Sequence, residues 1–221
     1  RNMGLVHKKH TINEKFFDEL NEHSSYILGL LFADGNICWN PTPKKSYWAI
    51  TLTTSAKDKD HLGKIRKILS SSKPLVYSKK TNSFRLIINN KYMCIRLMRL
   101  GVIPRKSLIV KSPKDINKNH VNHFIRGVID GDGSIRYVNR KRSPYFEIQI
   151  CSGSKRFSKG LADTIKKNVG IDCKIRKAKE NLYVLGYTCS RAKQLADYIY
   201  SDATLFLNRK HKPYKENVIN S

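Results

Sequence analysis

Two segments of this 221-residue chain repeat one another about a hundred residues apart, and each ends in Asp-Gly. The first, Tyr26 to Gly35, reads Tyr-Ile-Leu-Gly-Leu-Leu-Phe-Ala-Asp-Gly. The second, Phe124 to Gly133, reads Phe-Ile-Arg-Gly-Val-Ile-Asp-Gly-Asp-Gly. Taken as helices, they put Gly29 and Ala33 on one face of the first and Gly127 and Gly131 on one face of the second, at the i, i+4 spacing. An interior glycine costs about 1 kcal/mol against alanine in a helix. Its use in both copies points to two backbones in close contact, with larger side chains excluded. Helices packed on those faces would bring Asp34 and Asp132 together at their C-terminal ends. Two carboxylates there repel each other, and the helix dipoles add to the repulsion. A divalent cation relieves this, and carboxylate, carbonyl and water oxygens suit Mg²⁺. A single Asp-Gly would read as a helix stop followed by a turn; two in matched flanks read as half-sites.

The order of elements around the motifs also repeats. Alternating strands are predicted at Asn36–Asn40 and Tyr47–Thr54, with Pro41-Thr42-Pro43 between them. A helix over Lys57–Leu69 follows, then strands at Val76–Lys79 and Phe84–Ile88, then a helix at Tyr92–Arg99. The second half gives strands at Ser134–Arg140 and Tyr145–Cys151 and a helix at Lys155–Val169. Strands at Cys173–Lys177 and Tyr183–Thr188 and a helix at Arg191–Tyr200 complete it. The fold class is therefore α+β, with two pseudo-symmetric αββαββα halves. Residues 1–109 form the first half, 110–119 a linker and 120–221 the second half. Thr11-Ile12-Asn13-Glu14 has the form of a capping box, so a further helix is expected at the start, with Phe16, Phe17 and Leu20 on its apolar face. Ser24 or Ser25 is the expected cap of the first motif helix.

Forty-three Lys and Arg against seventeen Asp and Glu give a net charge of +26. Such a surface attracts polyanions, of which nucleic acid is the commonest. No apolar run is long enough to span a membrane, and the basic start has no apolar leader core. No membrane partner is expected. Cys38, Cys94, Cys151, Cys173 and Cys189 show no Cys-x-x-Cys pairing, which fits reduced thiols in an intracellular protein rather than a zinc site. The histidines lack metal spacing. His120 and His123 share a helix face where a surface or capping role is expected, and no Ser-His-Asp or Cys-His set rivals the paired acids. The Lys-, Asn- and Ile-rich composition suits an AT-rich genome, without separating phage or bacterial cytoplasm from mitochondrion or chloroplast. The chain opens on Arg1 rather than Met, as a trimmed protein or part of a longer reading frame would.

The motifs resemble those of the LAGLIDADG homing endonuclease family: Ile-Leu-Gly-Leu-Leu-Phe-Ala-Asp-Gly at 27–35 and Ile-Arg-Gly-Val-Ile-Asp-Gly-Asp-Gly at 125–133. Two motifs in one chain resemble the single-chain, pseudo-dimeric members, over nearly the whole length. The resemblance implies an α/β saddle in which two four-stranded antiparallel sheets straddle DNA and the motif helices form the seam. It implies a site-specific double-strand endonuclease that cuts across the minor groove and leaves 3′ overhangs, with Mg²⁺ or Mn²⁺ as cofactor. The metal ligands would be Asp34 and Asp132, helped by the carbonyls of Ala33 and Gly131. A basic residue after the third helix of each half often lies near the active site in this family, which nominates Lys106 and Lys210 to position water or hold the scissile phosphate. The chain departs from the family at Phe32, where the second copy has acidic Asp130. It departs again at Leu28 and Arg126, which replace a common small residue; Arg126 is expected to point away from the seam or toward the other half's surface.

With Ile50, Leu52, Phe146, Ile148 and Ile150 facing the core, the alternate positions face the duplex. The candidates are Tyr47, Thr51, Thr53, Lys79 and Arg85 in the first half. In the second they are Arg136, Arg140, Tyr145, Glu147, Gln149, Lys174 and Arg176. Arg suits guanine and Gln suits adenine in the major groove. The expected partner is double-stranded DNA with a long specific target, bound by a monomer. Two other readings share the fold: a maturase that binds its own intron RNA, and a DNA-binding regulator with an inactive site. Retention of both Asp34 and Asp132 favours cutting.

Overall fold

A computed structural model describes residues 10–41, 46–113, 116–141 and 143–219. Expectations that fall on the remaining residues, including parts of the Pro41-Thr42-Pro43 connection and of the 110–119 segment, lie outside the described residues. The first half runs α1 (Glu22–Ala33), β1 (Gly35–Asn40), β2 (Tyr47–Ser55), α2 (Lys59–Ile68), β3 (Val76–Ser78), β4 (Ser83–Ile88) and α3 (Lys91–Arg99). The second repeats the series as α4 (Val121–Asp132), β5 (Gly133–Val138), β6 (Tyr145–Ser152), α5 (Lys155–Val169), β7 (Ile175–Lys179), β8 (Leu182–Thr188) and α6 (Cys189–Tyr200). It then adds α7 (Asn208–Tyr214) and a π-helical turn over Lys215–Ile219. Each half carries a four-stranded antiparallel sheet, in the orders β1-β2-β4-β3 and β5-β6-β8-β7.

Alternation decides which face of each sheet is covered. Ile37, Ile50, Leu52, Leu86 and Ile88 are buried in one sheet, and Ile135, Phe146, Ile148, Ile150 and Leu185 in the other. They join the helices in one apolar core that is continuous through both halves. The registers Ile37↔Ile50 and Ile135↔Ile148 align the apolar positions across strands, so the opposite faces stay open.

The halves meet along α1 and α4, and the glycines set how closely. A Cβ at Gly29 would stand 2.2 Å from the Phe124 carbonyl oxygen, and one at Gly127 would stand 2.1 Å from that of Tyr26. One turn on, a Cβ at Gly131 would stand 2.3 Å from Cβ of Ala33. Any side chain at these points would force the backbones apart.

Several local expectations are corrected. The start of the chain is not a helix: residues 14–18 form turns. Thr11 does not cap. Its backbone N–H donates to Ser72 Oγ at 2.9 Å, and its carbonyl accepts from the Ser72 N–H at 3.2 Å. Glu14, the other half of the supposed box, accepts from Asn90 Nδ2. Long-range partners thus take the groups that a local cap would use, while Phe17 still reaches the core. The cap of α1 is Asn21, not a serine; Asn21 Oδ1 accepts from the Ser24 N–H, and Ser24 Oγ accepts from the Asn21 N–H. Arg126 does not point to a surface. It is fully buried and donates to the carbonyls of Ile199 and Leu205, tying the end of α6 to α4.

Candidate active site

The seam delivers Asp34 and Asp132 to the same place. Asp34 follows the last turn of α1, its N–H bonded to the Leu30 carbonyl, and Asp132 ends α4. The position a Cβ would take at Gly131 lies 3.3 Å from Asp34 Oδ2, so the Asp34 carboxylate lies against the end of the opposite helix. Both carboxylates are open to solvent on one side and backed by protein on the other. Partial desolvation raises both, and the charge of Asp34 raises Asp132 further, to about 6. Lys210, Lys106 and Arg209 oppose the rise at Asp34.

Lys106 and Lys210 reach this point from the segments after α3 and α6, and both are buried. Lys106 Nζ donates to the Ala33 carbonyl at 2.8 Å. Lys210 Nζ donates to the carbonyls of Ile129, Asp130 and Gly131 at 2.8, 2.6 and 3.1 Å. Each ammonium therefore neutralises the negative end of a motif helix beside the carboxylates. They are not equivalent. An ammonium has three donors; among the described residues Lys106 uses one and keeps two, whereas all three of Lys210 are engaged. Burial lowers the pKa of both, that of Lys210 to about 8.

Asp130 and Phe32, at matching places in the two motifs, do different work. Asp130 is buried; its Oδ2 accepts from the Tyr26 hydroxyl at 2.7 Å and from the Leu207 N–H at 2.8 Å. Tyr26 comes from the first half, and Leu207 precedes the helix that bears Lys210, so Asp130 fixes that helix against both halves. Burial raises Asp130 to about 6. The Tyr26 hydroxyl is also 2.9 Å from His61 Nε2, and burial lowers His61 to about 4. Phe32 instead stacks on Phe157, with ring centroids 5.7 Å apart.

On the open sheet faces, register groups the candidate contacts. Thr53 pairs with Arg85, Tyr47 with Asn40 and Thr51 with Asn36. Arg136 pairs with Glu147, Gln149 with Ser134, and Arg176 with Val184 on the same face. Asn36, Asn40 and Ser134, with Thr188 opposite Glu147, share these faces without having been candidates from sequence; the alternation of β1 and β5 counted from Gly35 and Gly133 would have placed the first three there. Lys79, Arg140 and Lys174 lie in turns or loops beyond the strand ends, and all three are exposed. Arg140 lies over the Tyr145 ring, 5.3 Å from its centroid. Glu147 is buried, with Oε2 2.6 Å from Arg136 Nε and Oε1 2.9 Å from Gln149 Nε2. Glu147 therefore orients two other candidates.

Among the described residues, no group of three or more His, Cys, Asp or Glu side chains could hold a metal ion by itself. The donors on offer at the seam are two carboxylates and the carbonyls of Ala33 and Gly131, all hard oxygens. Each carbonyl accepts from one lysine and has a second lone pair. That set fits Mg²⁺, which keeps several waters and takes one or two protein carboxylates plus phosphate oxygens. Among the described residues, no helix is long and apolar enough to cross a membrane.

Residues 119–200 match the family model of the LAGLIDADG-like domain. No curated protein sequence matches the chain. Among solved structures, the I-LtrWI LAGLIDADG homing endonuclease bound to target DNA is 15% identical, with 94% of this chain and 90% of that one covered and a TM-score of 0.61. I-SmaMI bound to cleaved DNA is 12% identical, over 89% and 87%, with a TM-score of 0.61. I-DmoI in complex with DNA and Ca is 17% identical, over 84% and 92%, with a TM-score of 0.60. At these identities the shared property is the fold.

Proposed function

From a chain that has the two-half LAGLIDADG fold, with a LAGLIDADG-like domain in its second half, we propose a site-specific endonuclease of double-stranded DNA. It hydrolyses one phosphodiester on each strand across the minor groove and leaves 3′ overhangs. The observation that carries this reading is the meeting of the two motif carboxylates at the joined ends of α1 and α4, where Asp34 lies against the end of the opposite helix and its charge adds to burial in raising Asp132. The likeness to structures that contain DNA supports the choice of substrate.

Asp34, Asp132 and the Ala33 and Gly131 carbonyls would hold Mg²⁺ or Mn²⁺. When bound, the cation supplies electrophilic stabilisation of phosphate charge and a more acidic water. The chain's own groups do the rest. The open faces of both sheets and the net charge of +26 seat the duplex and set its register. Lys106, with two free N–H groups, donates to a phosphate oxygen or to the attacking water. Lys210 holds the end of α4 so that Asp132 keeps its place. One chain supplies both half-sites, so a monomer suffices. A maturase acting on intron RNA needs neither carboxylate; their retention favours cutting.

The test is cleavage in Mg²⁺ of a duplex selected from a randomised pool, by the wild type, Asp34→Asn and Asp132→Asn. Each substitution should abolish cutting while leaving duplex binding intact. Cutting that survives both sinks the assignment; splicing of the intron without DNA cutting replaces it with the maturase.

A further inference from the structure

We infer that Arg209 is a further substrate-contacting residue, a phosphate-binding guanidinium that the second half contributes to the half-site of Asp34, oriented there by Asp58 of the first half. The inference rests on the nuclease reading for its substrate, but its geometry stands apart from the two motif acids and the two lysines.

Arg209 precedes Lys210 in α7, yet its side chain turns the other way. Lys210 enters the second half's helix end, whereas Arg209 crosses to the first half. There its Nε lies 3.2 and 3.1 Å from Oδ1 and Oδ2 of Asp58. The Asp58 side chain is 7% exposed and that of Arg209 54%, so the anchor is buried and the group it holds is open. Among the described residues, the two terminal nitrogens of Arg209 have no hydrogen-bond partner. Four N–H donors in a fixed planar fork thus remain for a ligand, and phosphate is the group such a fork matches. Arg209 lines a cleft of 570 Å³ together with Asp34, Asp58, His61, Thr53 and Ser55.

Among the described residues, the arrangement has no counterpart at the other half-site. Arg105 precedes Lys106 as Arg209 precedes Lys210. But Arg105 has a left-handed backbone, with φ 53° and ψ 35°, and is exposed without a carboxylate partner among the described residues. Where Asp58 turns inward at the head of α2, the buried residues at the head of α5 are Ser154, Phe157 and Ser158, none of them a carboxylate, and Phe157 packs on Phe32. One strand of the duplex therefore meets an anchored guanidinium and the other does not, so the two cuts depend on Arg209 unequally. Asp58 is a positioning residue that acts through Arg209.

Two measurements test this, with Arg209→Ala made in an Asp58→Asn background so that no buried carboxylate is stranded, and with Arg209→Lys and Asp58→Asn as single changes. The first is binding to a random-sequence duplex of about 30 base pairs in EDTA across a salt series. Loss of one phosphate contact should make the log–log slope shallower by about 0.9, and Arg209→Lys and Asp58→Asn should keep the wild-type slope. The second is strand-resolved cleavage of the selected target in Mg²⁺. The double variant should slow one strand, always the same one, by about tenfold, and leave the other within about twofold. Asp58→Asn should slow that same strand. An unchanged slope, or equal slowing of both strands, overturns the inference. If the wild type cuts no duplex, the nuclease reading fails, while the slope in EDTA still decides whether Arg209 contacts phosphate.

Discussion

Replacing Gly127 by alanine tests the seam directly. The added Cβ would lie 2.1 Å from the Tyr26 carbonyl oxygen and 3.0 Å from the Leu30 nitrogen, both backbone atoms of the opposite helix. Neither can rotate aside as a side chain could. Contact near 3.4 Å is reached only if α1 and α4 separate by roughly 1 Å, which opens gaps along a close-packed core. Overpacking of this kind costs about 1–3 kcal/mol, and more where backbone must move; the helix preference of alanine over glycine returns about 1 kcal/mol. The net expectation is a loss of about 2 kcal/mol or more. Gly63 supplies the control. It also lies inside a helix, α2, but a Cβ there meets nothing within 4 Å. Gly63→Ala should therefore raise stability by about 0.5–1 kcal/mol. Urea unfolding followed by circular dichroism measures both. The thermal midpoints should move in opposite directions, by roughly 2–4 °C per kcal/mol for a chain of this size. Because Asp34 and Asp132 hang from the ends of the separated helices, Gly127→Ala should also lose cleavage beyond its loss of stability. A Gly127→Ala protein as stable as wild type would refute the account of the seam.

Other expectations follow from the same geometry. Lys210→Met removes a donor from three helix-end carbonyls, of which Ile129 keeps the Gly133 N–H, and should lower stability by about 2 kcal/mol in chemical unfolding, whereas Lys106→Met, which takes a donor from one, should cost about half that and act mainly on cleavage rate. Asp130 has a folded pKa of about 6, above its ordinary value of 3.8. Its neutral form is favoured by folding, so its contribution is fully present below about pH 4 and is lost as pH rises through about 6. The stability difference between wild type and Asp130→Asn should accordingly shift against the wild type by about 2–3 kcal/mol between pH 4 and pH 7, as read from unfolding curves at each pH. Duplex affinity in EDTA should fall steeply with salt, with a log–log slope of about −9 if about ten phosphates are neutralised; a slope near zero would deny the basic faces a role.

The fold was legible where neighbours in sequence are also neighbours in space. Strand alternation placed Ile50, Leu52, Ile148 and Ile150 inward, and α5 runs over the expected Lys155–Val169. The αββαββα series recurs in both halves, because each element's period is a local property. Expectations failed where a distant partner outbid a local one. Thr11 and Glu14 had the form of a cap, but Ser72 and Asn90 hold them instead. Ser24 or Ser25 was the expected cap, yet Ser24 occupies the third helical position and Asn21 caps the helix, its partner three residues on.

The sequence by itself determined that two glycine-bearing helices recur and that each ends in a carboxylate, since spacing along a helix is fixed by its pitch. Only the tertiary structure decided how the charges around those ends are divided. Arg126 is buried beneath α6, Lys210 is spent on three carbonyls while Lys106 keeps two donors, and Arg209 crosses to Asp58. A hydrogen bond is directional and short, and which of many basic side chains reaches a given oxygen depends on where residues far apart in the chain are brought by packing.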